Sequence, residues 1–119
     1  MLDFSRSIEL LRDGFRVRGE HTILVRFVDV REIVAFKLDL LVTDLICVGF
    51  NCEGLDEAVE LDEDTPGFDA LMDVVHTRFD VASEWRCQMM FPAFQTKQTT
   101  LWKASEDDLP TEISSGSAI

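Results

Sequence analysis

Apolar and polar residues alternate along the middle of the chain, and this alternation predicts β-strands. In the longest run, large apolar residues occupy every second position: Val34, Phe36, Leu38, Leu40 and Val42. The positions between them are mixed in character: Ala35, Lys37, Asp39, Leu41 and Thr43. A second run places four more apolar residues on one side: Ile46, Val48, Phe50 and Cys52. Because strand side chains point to alternate faces, we predict two adjacent antiparallel strands here.

Shorter alternating runs predict further strands on either side of this pair. Residues 15–18 and 22–28 flank a Gly19-Glu20 turn signal, so they predict a β-hairpin. Three side chains of its second strand are expected to face the core: Ile23, Val25 and Phe27. Residues 85–91 alternate again before Pro92, and residues 99–103 are predicted as a last strand.

Helical spacing predicts two helices. Over residues 4–13, Phe4, Ile8 and Leu11 recur at helical intervals, and Gly14 follows as a helix-terminating glycine would. A second helix is predicted from Thr65-Pro66, because threonine is a good N-cap and proline suits the first helical position. Its apolar stripe consists of Phe68, Leu71, Met72, Val75 and Phe79.

These elements predict an α+β fold. The order αββββαββ favours a mainly antiparallel sheet of about five to six strands with two helices packed on one face. The chain has 119 residues, the usual size of one domain. We predict a single domain over residues 1–104. Residues 105–119 are predicted to be a flexible acidic tail, because they hold little apolar surface to bury.

The charge distribution is strongly asymmetric. Residues 1–37 sum to +1, residues 38–119 sum to −13, and the whole chain carries −12. A field of that sign repels nucleic acid and anionic membranes and attracts basic proteins. We therefore expect a basic protein partner, with no direct nucleic-acid or membrane contact. The alternative is that the excess charge serves solubility alone.

Cysteine usage and the N-terminus bear on the compartment. The three cysteines are an odd number without a Cys-x-x-Cys pair, which is unlike a secreted disulfide scaffold. The first residues lack the basic and apolar regions of a signal peptide. The most apolar stretch, residues 38–50, is interrupted by Asp39 and Asp44 and is too short for a membrane helix. These features predict a reduced, soluble, cytoplasmic protein.

Catalytic and metal-binding signatures are weak. The chain contains no Gly-x-Ser-x-Gly, His-Glu-x-x-His or glycine-rich phosphate loop, so we expect no enzyme. A nucleophilic pair of Cys87 and His76 stays open as an alternative. Residues 62–73 partly match a calcium loop, but Pro66 and Ala70 offer no side-chain oxygen at two ligand positions. We expect no metal and no cofactor.

Residues 53–64 are the most acidic part of the chain, with seven acids and no base. A charge run usually means a solvated loop, and its functional interpretation is a docking surface for a basic partner. The predicted partner-binding residues are these seven and two nearby acids: Glu53, Asp56, Glu57, Glu60, Asp62, Glu63, Asp64, Asp69 and Asp73. Three apolar residues among them are predicted to anchor the contact: Leu55, Val59 and Leu61.

In size, acidity and absence of catalytic motifs, the chain resembles small inhibitory proteins as a class. Examples are bacterial toxin immunity proteins and phage-encoded, anti-defence inhibitors of nucleases. The resemblance implies a non-enzymatic binding protein that inhibits or neutralises a basic macromolecular partner. One alternative is a structural or self-associating subunit, such as a homodimer, because the strands over residues 38–50 are apolar on both faces at Leu41 and Leu45. The other is a small enzyme or metal-binding protein.

Overall fold

The computed structural model describes residues 6–90 and 97–105, which form an α+β fold. The first antiparallel sheet has the order β1-β2-β3 and consists of β1 (Ser7–Leu11), β2 (Gly14–Arg18) and β3 (Ile23–Arg26). The second has the order β6-β5-β4-β7 and consists of β4 (Val30–Asp39), β5 (Asp44–Cys52), β6 (Val59–Asp62) and β7 (Lys97–Lys103). The helices are α1 (Phe68–Arg78) and α2 (Trp85–Met89), and a 3-10 turn (Phe27–Asp29) precedes β4. The α+β class is confirmed, but the strands divide into two sheets instead of one.

The first sheet begins where a helix was predicted. Residues 7–11 form β1 and turn through Arg12-Asp13 into β2, so the helix predicted over residues 4–13 is wrong for its described part. Ile8 lies opposite Val17, and its N–H donates to the Pro66 carbonyl at 2.8 Å. These long-range contacts are available only to an extended chain, and they outweigh the helical spacing.

The predicted hairpin of β2 and β3 is confirmed. Phe15 pairs with Val25 and Val17 pairs with Ile23. Phe15, Val17 and Val25 are buried, Ile23 is half-buried, and Phe27 is buried in the 3-10 turn that follows. The apolar members of the alternation therefore face the core, as expected.

The second sheet contains the predicted pair of long strands. β4 and β5 are antiparallel, and the Asp39–Asp44 pair closes a loop of residues 40–43. In β5 the predicted apolar side, from Ile46 to Cys52, is buried. In β4 the buried side carries Ile33, Ala35 and Lys37, whereas the large apolar side is half-buried or exposed. The strand pattern thus gives the correct pairing but does not identify the core face of β4.

Helix α1 is confirmed, with its start two residues later than predicted. Gly67 precedes it in a left-handed conformation, and Thr65 gives no side-chain cap, because its hydroxyl donates to Asp62. All five residues of the predicted apolar stripe are buried. A Cβ at Gly67 would lie 2.4 Å from the Ile8 carbonyl oxygen, so glycine is required where β1 passes the helix.

The strand predicted over residues 85–91 is wrong for its described part, which is helix α2. Trp85 and Met89 lie one helical turn apart and are both buried, so the alternating residues also fit a helix. The predicted strand over 99–103 is confirmed as part of β7, which pairs with β4. Residues 106–119, and with them nearly all of the predicted tail, lie outside the described residues.

A line of aromatic rings joins the two sheets. Phe15 of the first sheet lies 5.1 Å from Phe50 of the second and 6.1 Å from Phe27. Phe27 meets Phe79 at 5.8 Å, and Phe79 meets Trp102 of β7 at 4.7 Å. These contacts show that the two sheets share one core.

Candidate acidic binding surface

The acidic segment, residues 53–64, runs from the end of β5 through a turn into β6. Val59 and Leu61 point into the core and are buried, while Glu60 between them is exposed. The prediction that Val59 and Leu61 anchor a partner is therefore wrong, because strand alternation turns both side chains inward. Leu55, in the turn before β6, is the exposed apolar residue of the predicted three.

Four of the predicted acids lie within β6 or beside it in the chain, and β6 is an edge strand. They are exposed and make no ion pair within the described part of the chain: Asp56, Glu57, Glu60 and Asp64. We call these four residues the acidic edge. Asp56 and Glu57 precede β6, Glu60 lies within it, and Asp64 follows it, so the carboxylates are spread along the strand. The four residues of β6 alone extend over about 10 Å.

Glu63 and Asp69 are held by one arginine. The Arg86 guanidinium donates to Asp69 Oδ1 at 2.8 Å and to Glu63 Oε1 at 3.1 Å, and it lies over the Phe68 ring. Burial opposes the charged form of Arg86, but these hydrogen bonds raise its pKa above the ordinary value. Glu63 Oε2 also accepts the N–H of Ile46 at 3.0 Å. Both acids therefore fasten α2 to the rest of the fold.

Glu53 and Asp62 also have partners within the fold. The Glu53 carboxylate pairs with Arg31, and the Glu53 N–H donates to the Asp29 carbonyl. Glu53 lies at the end of the sheet away from Glu63. Asp62 Oδ1 accepts the N–H of Asp64 at 2.9 Å and the Thr65 hydroxyl at 3.3 Å. These two carboxylates stabilise the turns on either side of β6.

Asp73 completes the predicted set. It is exposed on α1, one helical turn beyond Asp69. The same region was weighed as a calcium loop. Across the described ranges, no three His, Cys, Asp or Glu side chains converge on a common point that could hold a metal.

The cysteines and His76 have structural surroundings. Cys47 and Cys52 are buried and are not in disulfides, whereas Cys87 is exposed. Burial raises the pKa of both buried thiols to about 11, with smaller effects from Asp62 on Cys47 and from Asp29 on Cys52. His76 Nε2 accepts the indole N–H of Trp85 at 2.9 Å, which packs α2 against α1.

A cleft of about 400 Å³ lies between α2 and β7. Its described lining includes Trp85, Met89, Thr99 and Leu101, and Glu84 is the one carboxylate among the described lining residues. Neither Cys87 nor His76 is among the lining residues, so the cleft does not bring the candidate nucleophile and base together.

The loop between β4 and β5, residues 40–43, is an apolar projection that we call the hairpin tip. Leu41 is 87% exposed and Val42 is 86% exposed. The Val42 N–H donates to the Leu40 carbonyl at 2.9 Å, and Asp39 Oδ1 accepts the Leu41 N–H at 2.8 Å. Leu41 has φ +79°, a conformation that favours glycine. Sequence reasoning identified Leu41 as apolar outside the core pattern but not as the end of a projection.

Comparison with protein-family models, curated proteins and solved structures finds no match for this chain. Neither of the described helices has the length and apolar content needed to cross a bilayer.

Proposed function

We propose that this is a non-enzymatic binding protein that inhibits or neutralises a basic macromolecular partner through the acidic edge. The observation that supports the proposal is the set of four exposed carboxylates that have no ion-pair partner elsewhere in the described residues. Carboxylates in such positions accept paired hydrogen bonds from arginine side chains and speed the encounter with a positive surface.

The partner is expected to meet side chains of β6 and not its backbone. An edge strand usually offers its outer N–H and C=O groups for pairing with another strand. Here Arg6 Nη2 donates to the Glu60 carbonyl oxygen at 2.9 Å, so one of those outer groups is already occupied. Strand addition is therefore less favourable than docking against the carboxylates.

A charge-neutralising variant tests the proposal. The acidic-edge variant combines Asp56→Asn, Glu57→Gln, Glu60→Gln and Asp64→Asn. The control variant combines Asp13→Asn, Glu20→Gln, Asp80→Asn and Glu84→Gln, which are also exposed acids. Both remove four negative charges from two aspartates and two glutamates, and they differ only in location.

Binding is measured by biolayer interferometry against an array of purified basic proteins, at several salt concentrations. We expect the acidic-edge variant to bind at least about tenfold more weakly, with a flatter salt dependence, because lost contacts cost more than lost net charge. The control is expected to lose less than about threefold, because distant charges act only through a screened field. Equal losses in both variants would show that net charge alone drives binding.

A further inference from the structure

The hairpin tip exposes apolar surface that does nothing for the core of this molecule. The loop between β2 and β3, residues 19–22, is also exposed, and it consists of glycine, glutamate, histidine and threonine. The hairpin tip instead presents Leu40, Leu41 and Val42 to solvent. Single exposed apolar residues are common, but contiguous ones at the end of a projection are typical of a binding site.

Among the described residues, the tip extends beyond the strands that flank β4 and β5. β6 pairs with β5 only as far as Cys47, and β7 pairs with β4 only as far as Lys37. Among the described strands, residues 38–45 therefore pair only with each other. A two-stranded ribbon of this kind can enter a concave surface on another molecule.

Local hydrogen bonds support the conformation of the tip. Leu41 occupies a left-handed conformation that is unfavourable for a branched aliphatic residue. The hydrogen bonds from Leu41 to Asp39 and from Val42 to Leu40 hold it there. A projection that is already ordered loses little conformational entropy on binding, which favours affinity.

Charges around the tip indicate what it contacts. Asp39 is exposed at the base of the tip. Ile46, which follows the tip on β5, accepts a hydrogen bond from the Glu63 N–H at 2.9 Å. Asp64, the residue after Glu63, therefore lies at the same end of the sheet as the tip. A second copy docking tip to tip would bring these acids together, and an anionic membrane would repel them. A protein pocket that is apolar inside and basic at its rim is complementary to this arrangement.

We propose that Leu40, Leu41 and Val42 insert into an apolar pocket with a basic rim on a protein partner. The inference rests on the proposed function, because the partner is the same basic protein that meets the acidic edge. The tip then supplies the buried apolar contact that Val59 and Leu61 cannot provide. Such central apolar contacts carry most of the binding energy of an interface, whereas charges at its rim steer the encounter.

The test replaces the tip without disturbing its fold. The tip variant is Leu41→Asn/Val42→Thr, because asparagine tolerates the left-handed conformation and threonine keeps the branched Cβ. The matched control is Leu24→Thr/Val28→Thr, because threonine is favoured in strands; Leu24, in β3, is 57% exposed and Val28, in the 3-10 turn, is 56% exposed. Circular dichroism and thermal melting are expected to be alike for both variants and the wild type.

Both variants are measured on the same array of purified basic proteins as the acidic-edge variant. For each protein on the array that binds the wild type, we expect the tip variant to bind at least about 30-fold more weakly. The control is expected to stay within about threefold, the range of a neutral surface change. Wild-type affinity in the tip variant would overturn the inference.

The combined pattern separates the two proposals. Loss of binding in the acidic-edge variant alone overturns the tip contact and leaves the proposed function standing. Loss in the tip variant alone overturns the acidic-edge role and supports the apolar contact. An array that retains no basic protein overturns both.

Two further measurements address other occupants of the tip. Sedimentation velocity of the wild type and the tip variant detects self-association, and a dimer that only the wild type forms overturns the inference. Co-sedimentation with vesicles of phosphatidylcholine, with and without phosphatidylglycerol, detects membrane insertion. Binding to either kind of vesicle that depends on the tip also overturns the inference. A wild-type protein that stays monomeric and binds neither kind of vesicle supports it.

Discussion

The strands of the first sheet and the acidic edge of the second differ in how their carboxylates are paired. On the first sheet, Arg16 and Arg18 both approach Glu9 Oε1, at 3.6 Å and 3.2 Å, and Arg26 pairs with Asp29 at 3.2 Å. On the second sheet, the four carboxylates of the acidic edge make no ion pair within the described residues, and the nearby Arg6 guanidinium binds the Glu60 backbone carbonyl instead. Exposed pairs add little stability, but they do cancel the local field. The comparison teaches that a carboxylate is available to steer a charged partner where its own fold leaves it without an ion pair.

The buried sides of the two sheets differ as well. The first sheet buries only apolar side chains, and Gly14 lets β2 pass close to β3. The second sheet buries Lys37 completely, with its Nζ 3.7 Å from Asp44 Oδ2. The first sheet thus depends on steric fit and the second partly on electrostatic compensation, and substitutions should distinguish the two.

The largest effect is expected at Gly14. A Cβ there would lie 1.9 Å from the Val25 carbonyl oxygen, whereas a Cβ at Gly49 of the second sheet would meet nothing closer than 3.6 Å. We expect Gly14→Ala to lower the free energy of unfolding by at least about 3 kcal/mol, because backbone must shift. Gly49→Ala should change it by less than about 1 kcal/mol. Urea denaturation measures both, and equal effects would show that the first sheet adapts freely.

The next effect concerns Lys37. We expect Lys37→Met to destabilise the protein by about 2 to 3 kcal/mol, because Asp44, whose side chain is 16% exposed, loses a counter-charge. The double variant Lys37→Met/Asp44→Leu should recover at least half of the loss, because neither member of this pair is then buried without the other. Chemical denaturation of the three proteins gives the coupling energy. A neutral single variant would contradict the role given to this ion pair.

The smallest effect is a loss of stability at high pH. Burial raises the pKa of Cys47 and Cys52 from an ordinary value of 9.0 to about 11. Between these values the unfolded thiols lose protons while the folded ones keep them, so the free energy of unfolding falls as pH rises. We expect a loss of about 1 kcal/mol per thiol by pH 10, with no contribution below pH 8.

The control for this pH effect is the exposed cysteine. Denaturation curves at pH 7 to 10 should keep their pH slope in Cys87→Ala and lose part of it in Cys47→Ala and Cys52→Ala. The chain has no tyrosine, so phenol ionisation does not add to the slope. An identical slope in all four proteins would contradict the assigned burial of the two thiols.

Sequence reasoning succeeded where a local pattern had one interpretation. The alternation of β5, the β2–β3 hairpin and the stripe of α1 are all confirmed. It failed where the spacing of apolar residues fitted both a helix and a strand. Ile8 and Leu11 suit a helix but pair as a strand, and Trp85 and Met89 suit a strand but lie on one side of a helix. Long-range partners decide such cases, and the sequence does not display them.

The candidate site divides in the same way. The exposure of Asp56, Glu57 and Glu60 follows from the charge run, and partner binding there stays a prediction. The ion pairs that engage Glu53 and Glu63 join residues 22 and 23 positions away, so no local pattern reveals them. The sequence pattern predicts the hairpin tip only as part of a strand that is apolar on both faces, because the residues themselves do not show where the neighbouring strands end.

β7 is synthesised much later than β4, and this delay affects the folding of the nascent chain. β5 follows β4 directly, but Lys97 follows Asp39 by more than fifty residues, so one side of β4 lacks its neighbour throughout that interval. At ribosomal speeds of about 5 to 20 residues per second, the interval lasts several seconds. During that time the nascent chain offers unpaired backbone groups to other nascent chains. Pairing between neighbouring nascent chains therefore competes with correct folding during this interval.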